Sequence, residues 1–149
     1  MPPLPRRLVP PVTALLALTA AGPATAAAQI TTATSTTVAY RGYEFQVPRA
    51  WPVINLTQAP TTCVRFDQHA VYLGTPGTAQ TCPAKAIGRT EALLIEPAAL
   101  AAATRITDEQ ISHEFDATAP GITVTATYGS DRTLMQTMLA TALPATTFA

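Results

Sequence analysis

His69 and Asp67 are the residues best suited to acid–base chemistry, because they lie two positions apart in a segment with a strand-like pattern. On a β-strand this spacing places both side chains on one face, where an imidazole and a carboxylate can act as a catalytic pair or bind a metal ion. No third partner follows nearby, and two ligands rarely make a metal site. A surface ion pair between Asp67 and Arg65 is therefore the favoured interpretation.

The other candidate reaction centres are incomplete. His113 is followed by Glu114, as in the zinc motif H-E-x-x-H, but position 117 is alanine instead of the second histidine. Glu91 and Glu96 flank one apolar strand, and their odd separation puts them on opposite faces, which does not suit a pair of glycosidase carboxylates. The G-x-S-x-G, Walker and G-x-G-x-x-G motifs do not occur. The sequence therefore predicts no catalytic, cofactor-binding or metal-binding residues and no cofactor.

Cys63 and Cys82 are the two cysteines of the chain. An even count in an exported protein favours a structural disulfide between them. Their spacing does not form a C-x-x-C redox pair, and two cysteines with distant histidines do not make a zinc site. We therefore predict one disulfide that staples the fold.

Residues 1–28 have the three-part pattern of a secretion signal. Arg6 and Arg7 precede an uncharged segment at 8–21, and small residues that fit an A-x-A cleavage site follow at 24–28. Early prolines interrupt the uncharged segment, which is shorter than the ~20 apolar residues of a membrane-spanning helix. We expect a cleaved leader and a secreted, extracytoplasmic protein without a membrane span, exported by the general or the twin-arginine route.

Composition and charge exclude several classes of protein. Without Arg6 and Arg7, seven basic and nine acidic residues remain, so the net charge after cleavage is −2. This balance excludes the basic surface of a nucleic-acid-binding protein. Residues 29–149 suffice for a single domain, which we place at 40–143 with a tail at 144–149. Because only 6% of the residues are aromatic, the core of this domain should be mainly aliphatic.

Alternation of apolar and polar residues predicts several β-strands. In the first of them, Tyr43, Phe45 and Val47 share one face. Trp51 follows this strand and is expected to plug one end of the core. Residues 29–39 are almost entirely Thr, Ala and Ser, so they predict a flexible lead-in. The predicted strands are 43–47, 63–66, 69–73, the doubly covered 92–95 and 122–128, with 53–56 as a short extension.

Capping patterns predict two helices. Thr107 and Gln110 resemble a capping box, which predicts a helix that buries Ile111 and Phe115 and ends before Pro120. A last helix is predicted to begin at a Ser130 cap, with an inner face formed by Leu134, Met135, Met138, Leu139 and Ala142. These elements imply an α+β fold, with a mainly antiparallel sheet of four to six strands and two helices packed on one side.

Four segments of the chain resemble an N-terminal module of secreted actinobacterial proteins, namely 40–52, 63–74, 89–95 and 124–131. In those proteins a glycoside-hydrolase-like domain of unknown function commonly follows. The likeness covers residues 40–143, and its motifs are structural, so it implies export and a fold but no catalytic residue. The chain stops at Ala149, where that domain would begin, so we expect either a truncated gene or a module that acts alone.

Three functions remain open from the sequence. The first is a non-catalytic accessory or binding module of the cell envelope, whose partner is a cell-wall component or another extracellular protein. The second is a small extracellular hydrolase, or a fragment of a glycoside-hydrolase-like protein, that uses Asp67, His69 or the scattered carboxylates. The third is a secreted inhibitor in which the disulfide loop at 64–81 presents the turn at 74–77 to a protease.

Overall fold

The computed structural model describes residues 34–101, 103–143 and 147–148. The predicted leader at 1–28, the beginning of the 29–39 lead-in and most of the 144–149 tail lie outside these residues. One helix and nine strands are described: β1 (Ser35–Tyr40), β2 (Tyr43–Pro48), β3 (Val53–Asn55), β4 (Val71–Leu73), β5 (Ala92–Pro97), β6 (Arg105–Glu109), β7 (Glu114–Ala119), β8 (Ile122–Thr127), α1 (Arg132–Ala142) and β9 (Thr147–Phe148).

Strands β1 and β2 form an antiparallel hairpin, so residues 35–39 are not the flexible lead-in predicted from their composition. Arg41 and Gly42 connect the strands with φ angles of 49° and 88°, the two positive values that a type I′ turn requires. Pairing with β2 satisfies the backbone of β1, and Val38 gives it a side chain in the core. The predicted alternation in β2 is confirmed, since Phe45 and Val47 are fully buried.

The main sheet is mixed, with the strand order β3-β4-β5-β8-β7-β6-β9. Strands β3, β4 and β5 are parallel neighbours, whereas β5, β8, β7 and β6 pair antiparallel. The α+β class with a mostly antiparallel sheet is therefore confirmed, but the sheet contains more strands than predicted. Of the predicted strand at 69–73 only β4 is formed, and residues 63–66 are a loop. The preceding residue, Thr62, forms an isolated bridge with Thr81.

The prediction of a helix after Thr107 is wrong, because β6 and β7 form a hairpin there. Phe115, Ala117 and Ala119 are buried while the residues between them are exposed, which is the two-residue period of a strand. Ile111, expected in the core, is fully exposed in the turn of this hairpin. Pairing with β8 buries the whole apolar face of β7, and this burial outweighs the local capping pattern.

Helix α1 is confirmed, although its N-cap is Asp131 and not Ser130. The Asp131 carboxylate accepts a hydrogen bond from the Leu134 amide at 2.9 Å, which satisfies one of the free donors of the first turn. Four of the five predicted inner residues are buried, and the fifth, Leu134, packs against the core at its margin. Both helix methionines lie in the core.

The sheet is covered on both faces, and this explains the unbroken apolar run at 92–95 in strand β5. One face packs against α1 and the β1–β2 hairpin, with Leu93 and Ile95 in the main core. The other face carries Tyr72 and Leu94, against which Val64 and Phe66 pack. Parallel strands usually need a helical crossover, but here the connections at 56–70 and 74–91 are irregular. In the described part of the chain, no helix is long and apolar enough to cross a membrane.

Candidate functional site at the amino-terminal edge of the parallel strands

The registers of β3, β4 and β5 bring three predicted residues to one edge of the sheet. Val53 pairs with Val71, and Val71 pairs with Leu93. Trp51, His69 and Glu91 each lie two positions before one of these residues, so they approach the same edge and the same face. We call them the edge cluster. The sequence does not reveal this arrangement, because it does not predict the parallel pairing of β3, β4 and β5.

Glu91 is the buried carboxylate of the edge cluster, with 4% of its surface exposed. Its Oε1 atom accepts hydrogen bonds from the Gly129 amide at 3.0 Å and the Asp131 amide at 2.8 Å. Its Oε2 atom accepts a bond from the Thr90 hydroxyl at 2.9 Å. The carboxylate therefore clamps the segment that leads into α1, where the positive end of the helix dipole favours a negative charge.

These bonds determine the ionisation of Glu91. Burial by itself would raise the pKa of the carboxyl, because it disfavours the charged form. The backbone amides of Asp131, Glu91 and Gly129 and the hydroxyl of Thr90 outweigh this effect and lower the pKa from 4.5 to about 2. Glu91 is thus a carboxylate across the physiological pH range.

His69 is fixed from two sides. Its ring stacks on Trp51 with centroids 5.3 Å apart and planes 8° apart, while 53% of the side chain remains exposed. Its Nδ1 atom lies 3.0 Å from the carbonyl oxygen of Glu91 and 3.6 Å from that residue's Oε2 atom. A carbonyl oxygen only accepts hydrogen bonds, so Nδ1 carries the proton in this contact and Nε2 is the basic nitrogen. Trp51 is 8% exposed, as predicted for a core plug.

The edge cluster does not have the geometry of a nucleophilic triad. In a triad the carboxylate orients one ring nitrogen and the other nitrogen activates the nucleophile. Here the hydroxyl of Thr90 and the Glu91 carboxylate both lie on the Nδ1 side of His69, and the hydroxyl donates its proton to the carboxylate. The cluster therefore orients an exposed imidazole but does not activate the hydroxyl of Thr90.

Asp67 is not joined to His69. It forms the predicted ion pair with Arg65, with the Nη2 atom of Arg65 at 2.6 Å from Oδ2 and its Nε atom at 2.9 Å from Oδ1. The hydrogen bonds from Arg65 hold the pKa of Asp67 below its usual range. A pairing of Asp67 with His69, as in the proposed catalytic or metal pair, does not occur among the hydrogen bonds and ion pairs of the described residues.

His113 lies in the β6–β7 turn and not on a helix. Its ring stacks on Tyr128 at 5.4 Å, and the hydroxyl of Tyr128 donates to Asp108 at 3.0 Å. Arg132 forms an ion pair with the same Asp108 carboxylate and lies over the ring of Phe115. Burial raises the pKa of Tyr128, and the bond to Asp108 adds to this effect. This second cluster joins the hairpin to the first turn of α1.

Within the described residues, no group of three or more His, Cys, Asp or Glu side chains is arranged to bind a metal ion. Glu96, the other carboxylate considered for glycoside hydrolysis, lies at the opposite end of β5 from Glu91 and is half-buried. The two carboxylates therefore do not face a common cleft.

Cys63 and Cys82 form the predicted disulfide, with Cα atoms 4.9 Å apart. Cys63 lies in the connection between β3 and β4 and Cys82 in the connection between β4 and β5, so the bond joins the two irregular crossovers. In the turn at 74–77, Gly74 is buried and a Cβ at Gly77 would collide with the carbonyl of Pro60, whereas Thr75 is exposed. Inhibitory use of that turn stays a prediction.

The sequence carried one usable signal for the edge cluster. Glu91 directly precedes the apolar run at 92–95, and His69 precedes the apolar residues of β4 at a similar position. A charged residue next to an inner strand must be paired when it becomes buried.

Comparison of the chain with protein-family models, with curated proteins and with solved structures gave no significant match.

Proposed function

We propose that the protein is a secreted, non-catalytic accessory or binding module of the cell envelope. The observation that carries this proposal is the use of Glu91 as a clamp for the start of α1. The Glu91 carboxylate accepts hydrogen bonds from Thr90, Gly129 and Asp131, and these bonds keep it ionised. Asp67 and Asp108 are likewise engaged by arginines. The leader pattern at 1–28 and the disulfide support export.

The edge cluster supplies a contact surface for such a module. The ring of His69 has one side against Trp51, while half of the side chain faces solvent in a fixed orientation. A preorganised ring loses little conformational entropy on binding. Its basic Nε2 atom offers a hydrogen-bond acceptor to hydroxyl or amide groups, both of which are abundant in wall polymers.

We expect the oxidised protein to be retained on purified cell wall and His69→Asn to weaken this retention. Loss of one hydrogen bond of about 1 kcal/mol to the wall corresponds to about a fivefold weaker affinity. A co-sedimentation assay with increasing amounts of wall measures this change. His113→Asn is the matched control, because it also removes an aromatic-stacked histidine and because asparagine tolerates the positive φ of 54° at that position.

Equal loss of retention in the two histidine variants would show that the edge cluster is not part of the binding surface. A protein that stays in the supernatant at every amount of wall, and that captures no soluble extracellular partner either, would contradict the proposed function itself.

A small extracellular hydrolase is the second candidate function, favoured by one observation. His69 has the bonded Nδ1 atom and the solvent-facing ring that a general base requires. This role predicts that His69→Ala abolishes hydrolysis of a panel of glycoside, ester and peptide substrates, whereas Asp67→Ala, whose partner is Arg65, leaves it unchanged. Absence of any activity in the wild-type protein, or equal activity in His69→Ala, would exclude the hydrolase.

We also propose that the chain is related to the N-terminal module of secreted actinobacterial proteins described above. The supporting feature is the resemblance of four segments between residues 40 and 131 to that module. Sequencing the gene beyond codon 149 tests the relation. An in-frame continuation into a glycoside-hydrolase-like domain would support an accessory role, whereas a continuation into an unrelated domain would contradict the relation.

A further inference from the structure

The loop that precedes β5 is extensively exposed. Residues 81–89 are all exposed, which is the longest such run in the part of the chain that the structure describes. Ile87 in this segment has 83% of its surface exposed. We call residues 82–88 the Lys85 loop, after the single lysine of the chain.

Both ends of the Lys85 loop are fixed to the same short segment. At the first end, Cys82 is bonded to Cys63, and the Thr81 amide donates to the Thr61 carbonyl at 2.9 Å. At the second end, the Thr90 amide donates to the carbonyl of Phe66 at 2.7 Å. Since Cys63 and Phe66 are three residues apart, the loop leaves and re-enters the fold at neighbouring points.

Arg89 strengthens the second anchor. Its guanidinium group donates to the Ser112 carbonyl at 3.3 Å, approaches the Glu114 carboxylate at 3.4 Å and lies over the Phe66 ring at 5.2 Å. Pro83 restricts the backbone just inside the first anchor. The exposed residues between the anchors are therefore constrained at both ends, although few of their side chains are packed.

The loop presents one unpaired positive charge among small and apolar residues. The chain turns at Ala84 and Lys85, and Ala86 and Ile87 follow. In the described part of the chain, no carboxylate lies within ion-pair distance of Lys85, whereas Arg89, four residues further on, is paired with Glu114. A polyanionic partner would need several free cations, because its binding depends on the number of charges neutralised.

A single lysine on a constrained, exposed loop instead matches a pocket with one acidic group at its base. The specificity pocket of trypsin-like serine proteases is such a site, since an aspartate there selects lysine or arginine. Fixing a loop before binding reduces the entropy lost on binding, which favours tight association. We propose that the Lys85 loop is an interaction surface for a trypsin-like serine protease, with Lys85 in the specificity pocket.

This surface is distinct from the edge cluster and does not depend on retention by the cell wall. The test uses the full oxidised chain and trypsin as the probe, with a small chromogenic substrate to report free enzyme. We expect inhibition with a Kd of about 1 µM or tighter, and only slow cleavage after Lys85 by mass spectrometry. Lys85→Ala should weaken inhibition about 100-fold, as for a central contact residue, whereas Lys85→Arg should retain it.

Arg41→Ala is the matched control, because Arg41 is an exposed cation in another turn of the protein. It should inhibit like the wild type. The double variant Cys63→Ser/Cys82→Ser releases the first anchor and should turn the loop into a rapidly cleaved substrate. The proposal is overturned if trypsin is not inhibited, if Lys85→Ala inhibits as well as the wild type, or if the oxidised wild-type loop is cleaved at the rate of an open peptide.

Discussion

Glu91→Gln is expected to lower the free energy of unfolding by about 3 kcal/mol at pH 7. The estimate follows from a pKa of about 2 in the folded protein against 4.5 for an ordinary glutamate, at about 1.4 kcal/mol for each unit. Glutamine retains one acceptor for the Gly129 and Asp131 amides, but it lacks the charge and the second acceptor that Thr90 uses. Urea denaturation followed by circular dichroism measures the change.

The effect has a defined pH dependence. The pKa of Glu91 is lowered by folding, so the unfolded chain binds more protons between about pH 4.5 and pH 2. The stabilisation is therefore complete above pH 4.5 and is lost as the pH falls towards 2. Because Asp67 also has a lowered pKa, the quantity to compare is the difference between the wild type and Glu91→Gln at each pH.

Glu44→Gln is the control for this series, because Glu44 is an exposed glutamate of β2. It should change the free energy of unfolding by less than about 0.5 kcal/mol, as surface substitutions usually do. If Glu91→Gln were as stable as Glu44→Gln, and if the difference from the wild type did not shrink on acidification, the clamp would have no energetic role.

Removal of the disulfide is expected to have an effect of similar size. The cysteines are 19 positions apart, and closing a loop of that length stabilises a protein by about 3 kcal/mol in the chain-entropy model. Cys63→Ala/Cys82→Ala should therefore unfold at a lower urea concentration than the oxidised wild type. We also expect amide exchange to increase first at 56–70 and 74–91, because these irregular crossovers lack helices of their own.

The wild type under reducing conditions provides the control for the substitutions. Reduction should reproduce the loss of stability, while the double variant should be insensitive to the reductant. Equal urea midpoints for the oxidised and reduced wild type would show that the packing of Val64 and Phe66 on the sheet suffices without the bond.

At Thr107, the local sequence pattern predicted the wrong secondary structure. A threonine followed by glutamine, with flanking isoleucines, satisfies the rules for the start of a helix, yet the segment is a β-hairpin. The apolar alternation at Phe115, Ala117 and Ala119 was present but weak, because two of the three residues are alanines. Burial against β8 and the core decided between the two structures, and such burial is not visible within a short window.

The edge cluster could not be predicted from local sequence patterns. His69 lies 18 positions after Trp51, and Glu91 lies 22 positions after His69. Only the parallel pairing of β3, β4 and β5 aligns the three residues. A parallel pair without a helical crossover has no recognisable pattern, so the sequence predicted neither the pairing nor the contact between His69 and Glu91. The lowered pKa of Glu91 follows from that tertiary arrangement.

By itself the sequence determined the α+β class, the doubly buried strand β5, the amphipathic helix α1, the burial of Trp51, the pair Arg65–Asp67 and the disulfide. Each of these follows from residue types and their spacing along the chain. The period of the apolar residues predicts strands and helices, neighbouring opposite charges predict an ion pair, and an even number of cysteines predicts a disulfide. Only the tertiary structure decided the mixed strand order, the hairpin after Thr107 and the pairing of His69 with Glu91. These features arise from contacts between segments distant in the chain, whose free energy is gained only when the whole sheet assembles.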